Sequence, residues 1–105
     1  LTSGGTTTCD ALWMGVPVIT FAGESIFSRT GVMHLTNIGL PELIATDVKQ
    51  YVQIATDLAG DGARLSAIRS GLRDKMRQSP IMNEAAYCRV LGEALRHMWR
   101  RWCER

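Results

Sequence analysis

A glycine- and threonine-rich segment placed directly before an apolar run constrains this chain more than any other feature. It reads SGGTTTCDALWMGVPVIT over residues 3–20. Gly4 and Gly5 allow a tight turn. A helix is predicted from there to Gly15, whose backbone freedom suits a helix C-terminus. Because Val18–Phe21 then predicts a strand, the order of loop, helix and strand is typical of a parallel α/β sheet.

The start of this first helix favours binding of a phosphate. Any of Thr6, Thr7 and Thr8 can cap the helix, and unpaired amides meet the positive end of the helix dipole there. Asp10 follows one turn later, within reach of a ribose hydroxyl beside such a phosphate. The same spacing is also typical of an ordinary capped turn, and it is neither a Walker loop nor a GxGxxG fingerprint. On spacing alone, both interpretations stay open.

Several motifs together resemble the C-terminal lobe of the O-linked N-acetylglucosamine transferase family, which includes the plant SPINDLY-type proteins. They are residues 4–20 with the following A-G-E and S-R, then LT..GLPELIA at 35–45, LR..M at 72–76, SP at 79–80 and MW..WC at 98–103. The resemblance spans essentially the whole chain in one register.

The resemblance implies a helix-rich α/β fold, part of a Rossmann-like GT-B C-terminal lobe with two or three short parallel strands. It implies that Gly5, Thr6 and Thr7 lie at the diphosphate of a nucleotide sugar and Asp10 at its ribose. The helix start itself adds Thr8 to the predicted phosphate contacts. Animal members have a histidine at the Gly5 position, which leaves only backbone and hydroxyl donors here. The donor implied is UDP-N-acetylglucosamine, used to modify Ser or Thr of proteins. The Thr-Thr-Thr-Cys run is closer to the SPINDLY-type proteins, so GDP-fucose is the alternative donor.

The chain is expected to be one domain, residues 1–105, cut from a longer polypeptide, because it opens inside a motif without a methionine. The family's catalytic residues precede Leu1, so no catalytic residue is assigned here and the isolated piece is expected to be inactive. The other lobe and upstream segments, usually tetratricopeptide repeats that bind the protein acceptor, are the implied partners. No metal or other cofactor is expected.

Composition predicts a cytoplasmic protein. The three cysteines show no CxxC or Cys/His metal spacing. Cys9 has two interpretations, a thiol with a pKa lowered by the helix N-terminus or a small buried packing residue. No signal peptide and no apolar run long enough for a membrane span is found in the sequence.

Four further helices are predicted, with caps at Ser28, Asp47, Asp61 and Asn83 and a brief strand at 43–45. Gln50 completes a capping box with Asp47, and Ser79-Pro80 ends the fourth helix. Periodicity predicts an apolar face on each helix, and the face of the second helix is predicted to point inward. In chain order the faces are Val32, Leu35 and Ile38 (or Met33); Val48, Tyr51, Val52, Ala55 and Leu58; Leu65, Ile68, Leu72 and Met76; Tyr87, Leu91, Ala94 (or Leu95), Met98 and Trp102.

Two polar residues of the second helix are open to more than one interpretation. Arg29 is either a solvated cation or the ion-pair partner of Asp10 or Glu24. His34 is predicted to be a surface or half-buried residue, because no second metal ligand lies at helical spacing from it.

Charge is divided unevenly, with two basic and six acidic residues in 1–63 against ten and four in 64–105. A basic helical pair suits nucleic acid or an anionic membrane. The scattered arginines and few aromatics argue against both, and favour a solvated face partly covered by another lobe.

Trp99 is predicted to lie off the apolar stripe and to contact that lobe. Without it, self-association is expected through an edge strand, through the last helix or by exchange of that helix between chains. The alternative is a monomer in which the last helix folds back and buries both of its tryptophans. The alternative function is a non-catalytic helical interaction domain with a basic C-terminal face.

Overall fold

The computed structural model describes residues 4–105, so Ser3 of the opening segment lies outside the described residues. Within this range five α-helices alternate with short strands and turns, as the sequence predicts. The helices are α1 Thr6–Trp13, α2 Thr30–Asn37, α3 Val48–Gly60, α4 Gly62–Gln78 and α5 Glu84–Cys103. The strands are β1 Thr20–Phe21 and β2 Ile44–Ala45, and 3-10 turns cover Ile26–Ser28, Pro41–Leu43 and Pro80–Met82.

β1 and β2 form a parallel pair, with Thr20 opposite Ile44 and Phe21 opposite Ala45. The amide of Ala22 adds one more bond to the Ala45 carbonyl, at 2.7 Å. Both strands are shorter than the predicted 18–21 and 43–45. The ladder is short because the Pro41–Leu43 turn precedes β2 and the cap of α3 follows it.

Three of the predicted helix caps are confirmed. Asp47, Asp61 and Asn83 each accept a hydrogen bond from the backbone amide three residues later, at 2.7, 3.0 and 3.1 Å. Gly15 and Gly39 follow α1 and α2 with φ angles of +77° and +76°, the left-handed conformation expected of glycine at a helix end.

Two capping predictions are wrong. Ser28 lies in a 3-10 turn and its hydroxyl donates to the Ser25 carbonyl at 2.7 Å, so α2 begins after Arg29 without a side-chain cap. The threonines do not cap α1, because Gly5 occupies the N-cap position and Thr6–Thr8 form the first turn. The glutamine of the α3 capping box also reaches one residue further back than expected, to the amide of Thr46 at 2.7 Å.

The core lies where α1, α2 and α4 meet below the strands. The largest side chains with no exposed surface are Leu12, Leu35, Leu43 and Leu72. Leu58 of α3 and Met76 of α4 pack against this cluster, as predicted from their spacing. The first part of the predicted apolar face of α3 is not covered by other elements, because Val48, Tyr51 and Val52 are exposed.

α5 stands apart from the core. None of its residues is buried, and its contacts concentrate at the Pro80–Met82 turn, which gives the chain an elongated shape of 59 × 29 × 19 Å. Its exposed large apolar residues are Tyr87, Val90, Leu91, Leu95, Met98, Trp99 and Trp102. The predicted apolar stripe is therefore present, and the described part of the chain leaves it uncovered.

Candidate functional site

The candidate site is the N-terminal end of α1. Gly5 is the N-cap, with no side chain bonded to the first-turn amides, so within residues 4–105 the donors of Thr6–Thr8 have no capping partner. The amide of Cys9 is the first to bond back within the helix, to the Gly5 carbonyl at 3.2 Å. An eight-residue helix thus presents unpaired amides and the positive end of its dipole at one point.

The two glycines before α1 differ in what surrounds them. A Cβ at Gly4 would lie 2.6 Å from the Thr8 hydroxyl oxygen, so packing requires glycine there. A Cβ at Gly5 would have no neighbour within 4 Å. Gly5 therefore faces open space, and a ligand can approach its backbone closely.

The predicted site residues are brought to one end of α1, with one difference among the threonines. Thr6, Thr7 and Asp10 are exposed, and Thr6 and Asp10 are neighbours on the helix surface because they lie four residues apart. Thr8 is buried, with 7% of its surface exposed. Because its side chain faces the protein interior, only the backbone amide of Thr8 is available to a ligand.

Cys9 and His34 form a contact between α1 and α2 that the sequence analysis did not foresee. The Cys9 sulfur lies 3.7 Å from both ring nitrogens of His34. Burial raises the pKa of the Cys9 thiol, and the nearby Asp10 carboxylate raises it further. Cys9 is therefore a packing residue, and the interpretation that the helix N-terminus lowers its pKa is wrong.

His34 is buried, with 8% of its surface exposed, so the prediction of a surface or half-buried residue is wrong. Its burial disfavours the imidazolium ion and lowers the pKa of His34 below its ordinary value of 6.5. A neutral imidazole and a neutral thiol therefore join the two helices directly behind the candidate site.

Because of this burial, we expect the fold to lose stability as the pH falls through about 6.5. Below that pH the unfolded chain takes up a proton on His34 that the folded chain resists, so acid favours unfolding, and stability rises again toward neutral pH. Urea unfolding between pH 7.5 and 5.5 measures this. A His34→Gln variant should flatten the pH dependence, and an unchanged slope in that variant would show that His34 is not its source.

Arg29 takes part in neither of the ion pairs considered from the sequence. Its guanidinium donates to the Gly23 carbonyl at 3.3 Å, and the one ion pair between residues 4 and 105 joins Arg77 to Asp74 at 3.4 Å. The Asp10 and Glu24 pairings are therefore wrong. The physical reason is that Arg29 lies at the exposed start of α2, where its side chain reaches back along its own chain.

Residues 4–105 contain no group of three His, Cys, Asp or Glu side chains able to hold a metal ion. Across the same part of the chain, no helix has the length and apolar character to cross a membrane.

Comparison with known proteins gives consistent matches. The model of the family described as glycosyl transferase family 41 matches residues 1–91. The chain is 43% identical over 102 residues to the "Probable UDP-N-acetylglucosamine--peptide N-acetylglucosaminyltransferase SPINDLY" of Arabidopsis thaliana. It is 34% identical over 102 residues to the UDP-N-acetylglucosamine--peptide N-acetylglucosaminyltransferase of Caenorhabditis elegans. Each match covers 97% of this chain, but only 11% and 9% of those proteins.

A solved structure agrees with these relatives. A mutant of the Thermobaculum terrenum O-GlcNAc transferase superimposes with a TM-score of 0.89 at 36% identity. The match covers 98% of this chain and 20% of that one. The α/β fold seen here is thus part of a larger GT-B architecture in that enzyme.

Proposed function

We propose that this chain, a member of glycosyl transferase family 41, is the nucleotide-sugar-binding portion of a protein O-glycosyltransferase. The observation that carries this proposal is the end of α1. It combines uncapped first-turn amides, the exposed Thr6 and Thr7 hydroxyls and the open space at Gly5. Backbone amides at a helix N-terminus bind phosphate groups well.

In this proposal the diphosphate of the donor lies against Gly5, Thr6, Thr7 and the amide of Thr8. Asp10 accepts a hydrogen bond from a ribose hydroxyl one helical turn further along. Its exposure supports this role, since a carboxylate facing solvent is free to accept a ligand hydroxyl. Binding the ribose there fixes the direction in which the nucleotide lies across the end of α1.

The donor we propose is UDP-N-acetylglucosamine, which the names of the relatives support. GDP-fucose is the alternative, on the ground of the Gly5-Thr6-Thr7-Thr8-Cys9 run. With Gly5 in place of histidine, no imidazole adds positive charge beside the diphosphate. Parallel titrations of UDP and GDP distinguish the two, since the preferred nucleotide should bind more tightly.

Transfer itself requires groups that we place outside these residues. The end of α1 offers amides and hydroxyls but no lysine or arginine in Gly5–Thr8, so it neutralises a diphosphate only partly. We propose that the other lobe supplies the remaining charge and the catalytic base, and that upstream segments, including tetratricopeptide repeats, bind the protein acceptor. The isolated chain is then inactive, and the complete enzyme acts in the cytoplasm without a metal.

Asp10→Asn tests the ribose contact. We expect it to weaken UDP binding by the parent transferase by about 1–3 kcal/mol, the value of one or two hydrogen bonds. Isothermal titration calorimetry measures the loss. Asp57→Asn is the matched control, an exposed aspartate on α3 away from α1. Equal affinities of the two variants would remove Asp10 from the site.

The exposed α5 favours one competing function, a non-catalytic interaction domain. A Thr6→Ala/Thr7→Ala double variant separates the two functions. If the domain only binds a partner through α5, this variant binds UDP or GDP as the wild-type protein does. If the end of α1 holds the diphosphate, the variant loses affinity while its melting temperature changes little, because both side chains are exposed.

A further inference from the structure

Trp13, at the last turn of α1, lies between two arginines of α4. The Arg73 Nε–H donates to the Trp13 carbonyl oxygen at 2.9 Å. The guanidinium carbons of Arg73 and Arg77 lie 5.1 and 5.3 Å from the centroid of the indole ring. Both distances are within the range of cation–π attraction.

Arg73 donates a hydrogen bond to the backbone of α1, and Arg77 does not. The last carbonyls of a helix lack partners and carry the negative end of its dipole, which a cationic donor satisfies. Arg73 supplies that donor to α1 across sixty residues of sequence. Arg77 touches the ring and pairs with Asp74 on its own helix.

The backbone around Trp13 is also held closely. A Cβ on Gly15 would lie 3.0 Å from the Arg69 carbonyl oxygen, so the turn after α1 approaches the backbone of α4. Leu12 and Leu72, each one residue away from the Trp13–Arg73 pair, have no exposed surface. The C-terminal end of α1 is thus fixed to α4 by packing and by a charged hydrogen bond.

We propose that Arg73 is a positioning residue for the nucleotide site. The inference rests on the proposed function, in which the opposite end of α1 holds the diphosphate. α1 has eight residues, about 12 Å of helix, and moves as one short rod. A shift or tilt at Trp13 is therefore passed to the amides of Gly5–Thr8, where small displacements weaken phosphate binding.

The test compares Arg73→Met with Arg77→Met. Both remove one guanidinium from the Trp13 ring and keep an unbranched stem, but only the first removes the bond to the α1 backbone. UDP affinity is measured by calorimetry in the parent transferase. Amide hydrogen exchange is followed in the 105-residue chain and in the parent.

We expect Arg73→Met to weaken UDP binding about two- to thirtyfold, the range of mutations that act on a site from a distance. Exchange of the hydrogen-bonded amides of α1, beginning with that of Cys9, should accelerate, while α3 and the centre of α4 keep their protection. Arg73→Lys, which restores the charge without the fixed Nε–H geometry, should recover part of the affinity. Arg77→Met should leave both readouts near wild type.

The inference is overturned if Arg73→Met and Arg77→Met agree in UDP affinity and in exchange. It is also overturned if exchange accelerates equally throughout the core, since Arg73 would then only stabilise the fold. Should Arg73→Met fail to fold, Arg73→Lys is compared with Arg77→Lys in its place, and agreement between that pair has the same meaning. A wild-type parent that binds neither UDP nor GDP would instead overturn the proposed function, and this inference with it.

Discussion

Replacing Leu12 with Ala is expected to destabilise the chain by about 2–5 kcal/mol, the usual cost of truncating a fully buried leucine. Leu12 has no exposed surface and packs in the cluster that includes Leu35 and Leu72. The substitution removes apolar contacts and leaves a cavity that helices joined by short turns fill only partly. Since small domains have total stabilities of about 5–15 kcal/mol, this loss is a large fraction of the whole.

Urea unfolding followed by circular dichroism measures the change, at a protein concentration low enough to keep the chain monomeric. Leu95→Ala is the control, the same truncation on α5 at a position that is 52% exposed. Its cost should stay within about 0.5 kcal/mol, as for ordinary surface substitutions. If the two variants lost similar stability, Leu12 would not be part of the core.

The helix ends could be read from the sequence because capping is local. Asp47, Asp61 and Asn83 each bond to an amide three residues away, so the residue type and its distance along the chain suffice. Ser28 has the same chemistry, yet its hydroxyl bonds to Ser25. A 3-10 turn before α2 placed a competing carbonyl within reach, and no local pattern predicts that competition.

The apolar faces show a different limit. Periodicity correctly groups residues on one side of a helix, and for α4 that side is the buried one, as Leu72 and Met76 show. The exposed Val48 and Val52 of α3 obey the same periodicity. The pattern identifies which residues share a face, whereas the neighbouring elements decide whether that face is covered.

Part of the candidate site could be predicted from the sequence because, like the helix caps, it depends on residues close together in the chain. Gly5, Thr6, Thr7 and Asp10 are close in sequence, so a single helix start brings them together. Cys9 and His34 are 25 residues apart, and Trp13 and Arg73 are 60 apart. Those pairs depend on how α1 packs against α2 and α4, which residue spacing does not encode. For the Trp13–Arg73 pair, the sequence signal was the Leu72-x-x-x-Met76 stripe, since it places the adjacent Arg73 at the rim of the core.

The isolated chain is expected to self-associate through α5, with a second copy as the partner. The apolar side of this helix includes Leu91, Leu95, Met98 and Trp102, all of them 43–64% exposed. Trp99, at 66% exposure, lies 60° from Trp102 around the helix, so it borders this face from outside, in agreement with its predicted place off the apolar stripe. An uncovered face of this size favours association, because burying it removes apolar surface from water.

Charge selects the antiparallel arrangement of the two α5 helices. The arginines concentrate in the second half of the helix, at Arg96, Arg100 and Arg101, whereas Glu84 stands at its start. Parallel helices would bring the arginine-rich halves together, and like charges repel. Antiparallel helices place them beside the acidic first turn and also oppose the two helix dipoles.

Sedimentation velocity over a hundredfold range of concentration tests this prediction, and the mass should rise toward twice that of the 11.6 kDa chain. Leu95→Glu puts a charge at the centre of the apolar face and should keep the chain monomeric. Val52→Glu, an equally drastic change on the exposed side of α3, should leave association intact. If instead Leu95→Glu dimerises like wild type, the contact lies elsewhere, and the exposed edge of β1 or β2 is the next surface to alter. A wild-type chain that remains monomeric at every concentration would contradict self-association altogether. The apolar face of α5 would then stay in contact with water, because no other element in residues 4–105 covers it.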